Sequence, residues 1–194
     1  KALAKLKIDG ALLTLQELYE LRVHTIEFEK IYKYIKKHQD EYPHLNEIAG
    51  NAESENRILA IIERVIDEKG QLKSNASPHL ADLLNSLAKA ERDINKKISS
   101  LYTKYQTLGV LAETEITIKD GRPVLPVLSE HKRKVKGYVH DESGAGKILY
   151  IEPEELIELN NLHTELDLEK KREIEKILRK ATKELSVYSY VIRE

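Results

Sequence analysis

Residues 77–109 read SPHLADLLNSLAKAERDINKKISSLYTKYQTLG, and this stretch decides the fold class. Ser77 and Pro78 are typical of a helix start, because a hydroxyl caps the first turn and proline fits the first helical position. Apolar side chains then recur every three or four residues, interrupted by Glu91, until Gly109 ends the pattern. The spacing predicts one helix of about 31 residues, roughly 46 Å long. Such a narrow stripe favours a coiled-coil arm. Its members are Leu80, Leu84, Leu87, Ile94, Ile98, Leu101, Tyr105 and Leu108.

The hydrophobic period changes to two on the C-terminal side of this helix. Asp120-Gly121 is typical of a two-residue hairpin, because glycine accepts the positive φ of a type I′ turn. Pro123 and Pro126 predict that the second strand is irregular or lies at a sheet edge, because proline lacks an N–H donor. Residues 112–152 are therefore predicted to form a small antiparallel β module. Its expected strands are 115–119, 124–127, 135–140 and 148–151.

Helical periodicity returns beyond the β module and also precedes the first long helix. Residues 154–194 contain no Gly or Pro and carry a second narrow apolar stripe, which allows about 40 helical residues. Residues 1–76 read as short and medium helices. The fold class is therefore mainly α, with a helical base, a long helix out, a β tip and a long helix back. A β module of about 40 residues buries little core alone, so we expect the two long helices to hold it.

Composition excludes several classes of protein and site. The chain has 32 Lys and Arg against 33 Asp and Glu, so a uniformly basic nucleic-acid binder is excluded, although a local basic patch is not. The absence of cysteine excludes disulfides, thiolate nucleophiles and Cys-ligated metals, and it fits a reducing cytoplasm. No apolar stretch is long enough for a membrane span. The chain starts at Lys1 and has no Met, so we expect it to be part of a longer protein.

Motifs that suggest catalysis are weak in this chain. Gly144-Ala145-Gly146-Lys147 resembles a phosphate-binding loop, but Ile148 stands where Ser or Thr is needed, and a strand follows instead of a helix. His140, Asp141 and Ser143 are too close in sequence for a catalytic triad. Glu41 and His44 have the spacing of a helical metal pair, but Pro43 between them argues against one continuous helix. His163 and Asp167 supply only two ligands, too few for zinc. We therefore expect no catalytic residue, metal or cofactor in these residues.

A basic cluster is the most informative feature of the β module. Residues 117–140 contain six Lys or Arg against two acids, a local charge of +4 in a near-neutral chain. Basic loops on a sheet suit the phosphate backbone of a nucleic acid. Judged by charge alone, the cluster can also be interpreted as a solvated charged loop. A purely structural spacer, by contrast, predicts no difference in charge between this module and the helices. The candidate nucleic-acid-binding residues are Lys132, Arg133, Lys134 and Lys136, with Lys119 and Arg122 in support.

Four stretches of the chain are informative when they are read together: 115–127, 136–143, Ile151-Glu152-Pro153 and Leu159-Asn160-Asn161, preceded by 66–70 and 75–78. These stretches resemble the MutS family, and more narrowly its second bacterial paralogue, which is tied to suppression of recombination. The similarity is specific over about 65–185 and looser over 10–64.

The resemblance implies a plan and a function for each segment. Residues 1–76 would be a helical core, 77–111 an outgoing lever helix, 112–152 a β clamp and 153–194 a returning lever, antiparallel to the first. The clamp would bind duplex or branched DNA. The fragment itself would not be an enzyme. The parent would be a homodimeric ATPase using ATP and Mg²⁺, with an Smr-type endonuclease domain in this branch.

The resemblance also implies a setting and one alternative. The parent would act in DNA repair and suppression of recombination in the bacterial cytoplasm, associated with the nucleoid and without a membrane partner. The alternative is a factor that engages ribosomal RNA or protein on stalled or collided ribosomes.

Overall fold

The computed structural model describes residues 2–8, 10–49 and 56–188. Within them the chain is mainly helical with one small antiparallel sheet, which confirms the predicted fold class. The helices are α1 (Ala2–Lys5), α2 (Leu15–Lys37), α3 (Pro43–Ala49), α4 (Asn56–Val65), α5 (Pro78–Thr107) and α6 (Glu154–Ser186). The strands are β1 (Thr117–Lys119), β2 (Arg122–Leu128), β3 (Gly137–Glu142) and β4 (Ile148–Pro153), with a 3₁₀ helix at Ser129–Lys134.

The chain divides into two compact units, one formed by residues 1–82 and 171–194 and the other by residues 83–170. Helices α5 and α6 each contribute residues to both units. The division into core, levers and clamp at the boundaries given above stays a prediction. None of the helices in the described residues is both long and apolar enough to cross a membrane.

The first unit is a helical assembly whose local signals are readable in the sequence. Thr14 and Glu17 form a reciprocal capping box at the start of α2: the Glu17 amide donates to Thr14 Oγ1 at 3.2 Å, and the Thr14 amide donates to Glu17 Oε2 at 2.9 Å. The Leu13 amide donates to Thr182 Oγ1 of α6 at 3.0 Å, so the entry to α2 is tied to α6. Fully buried side chains of this unit include Leu13, Leu18, Ile62, Ile66 and Leu185.

Helix α5 begins as predicted, but its buried stripe differs in detail. The Leu80 amide donates to Ser77 Oγ at 3.0 Å, which is the expected cap. Leu83 rather than Leu84 is buried, since both positions fit a three-to-four spacing and only packing separates them. Ala90 fills the gap at Glu91, so the stripe is continuous. Leu108 lies beyond the helix end and is 59% exposed. The buried positions are Leu80, Leu83, Leu87, Ala90, Ile94, Ile98, Leu101 and Tyr105.

The second unit contains the sheet, whose strand order is β1-β2-β4-β3 with every neighbouring pair antiparallel. Asp120 and Gly121 join β1 to β2 with φ of 50° and 75°, which confirms the predicted hairpin because a type I′ turn needs positive φ at both positions. A second hairpin joins β3 to β4. There the Ser143 amide donates to the Ile148 carbonyl at 2.9 Å, so the glycine-rich stretch between them is a turn and not a phosphate-binding loop.

Strand β2 lies inside the sheet, so of the two predicted alternatives, an edge strand or an irregular strand, the edge strand is wrong. Its two prolines are tolerated because β2 changes partner along its length. Residues 122–124 pair with β1, and residues 125–128 pair with β4. On the side opposite β4, residues 126–128 also meet residues 110–112 through one bridge, Leu111 to Val127, in which Pro126 serves only as an acceptor and the Leu128 amide is the donor. The Pro126 carbonyl accepts from the Ala112 amide at 2.8 Å.

One core joins the sheet to both long helices inside the second unit. The inner face of the sheet packs against α5 and the first turns of α6, and the members of this core on β2 and on β4 alternate along the strand. The cluster consists of Ile94, Ile98, Leu101, Tyr105, Val110, Leu125, Val127, Val135, Leu149, Ile151 and Leu156.

At Gly137 the backbone of β3 leaves no room for a side chain toward β4. A Cβ at this position would lie 2.0 Å from the Glu152 carbonyl oxygen and 2.9 Å from Ile151 Cγ2. We therefore expect Gly137→Ala to push β3 away from β4 and to lower the free energy of unfolding by about 1–3 kcal/mol, as overpacking does. Urea unfolding followed by circular dichroism measures it. Gly144→Ala, which meets nothing within 4 Å, is the control. Equal stability of the two variants would contradict the close approach.

Candidate nucleic-acid interface

Four predicted cations share one exposed surface next to the sheet. Lys132, Arg133 and Lys134 lie in the 3₁₀ helix between β2 and β3, and Lys136 directly precedes β3. All four side chains are exposed, and none forms an ion pair with a carboxylate among the described residues. We call Lys132, Arg133, Lys134 and Lys136 the basic surface. Its charges are available to an external anion.

The backbone around the basic surface is fixed at both ends. The Ser129 amide donates to the Lys147 carbonyl at 3.0 Å, and the Glu154 amide donates to the Lys136 carbonyl at 3.0 Å. Val135, between the 3₁₀ helix and β3, is buried in the core. A shallow groove of about 570 Å³ runs beside these cations, with Glu154 as the acid in its lining. The cations are thus presented by anchored backbone rather than by a long loop.

Lys119 and Arg122 lie in the same sheet but are already engaged by acids. Lys119 Nζ donates to Asp141 Oδ2 at 2.6 Å, and this hydrogen bond raises the pKa of Lys119 and lowers that of Asp141. Arg122 donates to Glu152 Oε1 at 2.8 Å and to Asn161 Oδ1 at 2.7 Å. Both side chains therefore hold the β module together, and their supporting role toward a nucleic acid stays a prediction.

Glu152 is the centre of a buried polar network. Its side chain is 3% exposed, yet both carboxylate oxygens have partners. Oε1 accepts from Arg122 Nη1 at 2.8 Å and from Asn160 Nδ2 at 2.7 Å, and Oε2 lies 2.7 Å from His140 Nε2. The Nδ1 atom of His140 lies 3.6 Å from Asp120 Oδ2. The network joins β2, β3 and β4 to α6, which is the geometry of a structural crosslink.

The titration of Glu152 gives a pH dependence. Burial raises its pKa, but hydrogen bonds from Asn160, His140 and Arg122 outweigh burial, so the pKa is lowered from 4.5. A lowered folded-state pKa means that this carboxylate stabilises the fold above its unfolded-state pKa and that the stabilisation is lost as pH falls through the folded value. Between about pH 7 and pH 3, we expect wild type to lose more free energy of unfolding in urea than Glu152→Gln. Equal losses would contradict this assignment.

The other sequence candidates for chemistry are separated by the structure. Asp141 pairs with Lys119, His140 with Glu152, and Ser143 Oγ accepts from the Ile148 amide at 3.1 Å, so these three residues do not form a triad. Among the described residues no group of three or more His, Asp or Glu has metal-site geometry.

Sequence reasoning missed Tyr138, because the ten tyrosines of the chain are dispersed and suggested no aromatic platform. The ring is 65% exposed and lies on edge strand β3, two residues after Lys136. The alternation of the strand was the available signal: Val135 and Val139 pack against the core, so the residues between them, apart from Gly137, must face outward.

Comparison with known proteins identifies the family. No family model matches the chain. The Endonuclease MutS2 of Lactococcus lactis subsp. cremoris strain SK11 is 39% identical over 130 residues, which are 67% of this chain and 16% of that protein. The Endonuclease MutS2 of Geobacillus sp. strain WCH70 is 30% identical over 196 residues, covering all of this chain and 25% of that protein. This chain belongs to the MutS2 family. The Endonuclease MutS2 of Aquifex aeolicus strain VF5, at 28% identity, likewise matches 99% of it.

The family relationship confirms the resemblance found in the sequence. The chain spans 16–25% of the length of these MutS2 relatives, so it corresponds to a segment of them. The stretches that carried the resemblance meet at the Glu152 network, since Arg122, His140 and Asn160 each come from a different one of them. Many of the residues that carry the resemblance thus serve to hold the β module to α6.

Proposed function

We propose that this MutS2 segment binds duplex or branched DNA and that the basic surface makes the phosphate contacts. The observation that carries the proposal is the set of four exposed cations within five residues, without ion pairs in the described chain, beside a sheet in which the other two cations are paired. Cations that contact phosphates position a protein on the backbone without reading bases. The binding should therefore depend strongly on salt and weakly on sequence.

The names of the relatives support a nucleic-acid substrate, since an endonuclease cleaves a nucleic acid. In our proposal the parent protein is a homodimeric ATPase that uses ATP and Mg²⁺ and carries an endonuclease domain, and it suppresses recombination in DNA repair. In this parent protein the present segment binds the DNA through phosphate contacts. ATP-driven closure would come from residues outside this chain.

Competition between ligands tests the proposal. Intact protein is titrated against a fluorescein-labelled four-way DNA junction, followed by anisotropy, at several salt concentrations. Unlabelled duplex, junction and purified ribosomes then compete. We expect the DNA competitors to displace the probe, and affinity to fall steeply with salt. Displacement by ribosomes alone, or affinity independent of salt, would contradict the proposal, and the first of these outcomes would favour a ribosome-engaging factor.

A further inference from the structure

We infer that the ring of Tyr138 stacks on an unpaired base. The protein would therefore bind single-stranded nucleotides that adjoin a duplex more tightly than a continuous duplex. This inference rests on the proposed function, because the phosphate contacts hold the strand that presents the base. It adds a base contact that phosphate recognition does not need.

The backbone of β3 places Tyr138 in line with the basic surface. Val135 and Val139 face the core, so Lys136 and Tyr138 between them face outward, while His140 lies at a register shift and its side chain is 10% exposed. Lys136 and Tyr138 are neighbours on this outward face, about 7 Å apart along the strand. A strand held by Lys136 at a phosphate therefore has Tyr138 within reach of an adjoining nucleotide.

The ring of Tyr138 is held in position by a neighbouring side chain but is exposed to solvent. It lies perpendicular to the His140 ring, at 75° and 5.2 Å between centroids, and His140 is itself fixed by Glu152 at 2.7 Å. An exposure of 65% leaves the ring surface accessible. By contrast, Tyr150 of the same sheet carries Lys119 Nζ at 4.7 Å from its ring centroid. A positioned, solvent-facing ring loses little conformational freedom on binding, which favours stacking.

The chemistry of an exposed ring beside cations selects the ligand. Bases inside a continuous duplex already stack on each other, so their faces are closed to a side chain. Unpaired bases offer a free face, and each base–aromatic stack typically strengthens binding by fivefold or more. Stacking tolerates any base, so this contact adds selectivity for strand state rather than for sequence.

Two DNA probes with identical phosphates isolate the base contact. Each probe is the same fluorescein-labelled duplex with a single-stranded tail. The tail of one probe contains thymidines, and the tail of the other contains abasic nucleotides. With intact wild-type protein we expect roughly fivefold or stronger binding of the thymidine tail than of the abasic tail. Tyr138→Ala should bind both tails equally, with the affinity for the abasic tail unchanged. Tyr138→Phe should keep the wild-type ratio.

Tyr34 supplies a matched control, because it is 57% exposed and its ring also lies against a histidine, His38, at 4.5 Å between centroids. Tyr34→Ala should keep the preference for the thymidine tail. A preference that survives Tyr138→Ala, or that wild type lacks, would overturn the inference and leave the phosphate contacts standing. Failure of wild type to bind either probe would remove the proposed function as well.

A second readout does not depend on the folding of the alanine variant. A 2-aminopurine in the tail loses fluorescence when it stacks on an aromatic ring. We expect quenching on binding of wild-type protein and of Tyr138→Phe. Binding that leaves the 2-aminopurine signal unchanged in both proteins would overturn the inference.

Discussion

Reversal of Lys132, Arg133 and Lys134 to glutamate in the intact protein should weaken DNA binding by roughly a hundredfold at low salt. Each of these exposed cations has no carboxylate partner among the described residues. Its attraction to a phosphate is therefore not offset by a neighbouring acid. Because each phosphate contact contributes about one unit to the salt dependence, the slope of log affinity against log salt should become shallower by about three. Anisotropy titrations at several salt concentrations measure both quantities.

A second triple reversal controls for net charge. Lys89, Lys96 and Lys97 are exposed on α5, and their change to glutamate alters the net charge by the same amount. We expect this variant to keep the salt slope of wild type, because charges that do not contact phosphates release no counterions on binding. Equal loss of affinity in both triple variants would show that total charge, and not the basic surface, governs binding.

Glu152→Ala should destabilise the β module by about 3–5 kcal/mol, the usual effect of removing one partner from a buried charge pair. The substitution leaves the Asn160 amide without its acceptor, removes the carboxylate partner of Arg122 and frees His140 from Glu152. Strands β3 and β4 then lose their side-chain link to α6 through Glu152, while β2 keeps the hydrogen bond from Arg122 to Asn161. Hydrogen exchange followed by mass spectrometry should show faster exchange in peptides from 137–153.

Hydrogen exchange in two other variants serves as the control for this result. Glu142→Ala removes an exposed carboxylate from the neighbouring strand β3 and should leave exchange unchanged. Glu152→Gln keeps one acceptor oxygen and should fall between wild type and Glu152→Ala. If Glu152→Ala exchanged no faster than Glu142→Ala, the network would contribute nothing to the stability of the sheet.

Features specified by neighbouring residues were predictable from the sequence. The cap at Ser77, the hairpin at Asp120-Gly121 and the turn before Lys147 each depend on a few adjacent side chains and on backbone φ. The place of β2 inside the sheet was not predictable, because it depends on where β1 and β4 end beside it. Likewise, only packing decides that Leu83 and not Leu84 is buried.

The candidate site shows the same limit. Charge along the chain located the basic surface, because its four cations are close in sequence. It could not reveal that Lys119 and Arg122 are paired, since their partners lie 22 and 30 residues away. Nor could it distinguish Tyr138 from nine other tyrosines before the strand register fixed which side chains of β3 face outward.

Acetylation of lysines in the intact protein, with and without saturating four-way junction DNA, tests the central claim most directly. Mass spectrometry then compares the reactivity of each lysine in the two states. The proposed contact predicts that Lys132, Lys134 and Lys136 become protected, while Lys96 and Lys97 of α5 stay reactive. Unchanged reactivity of the three lysines of the basic surface in the DNA complex would contradict it.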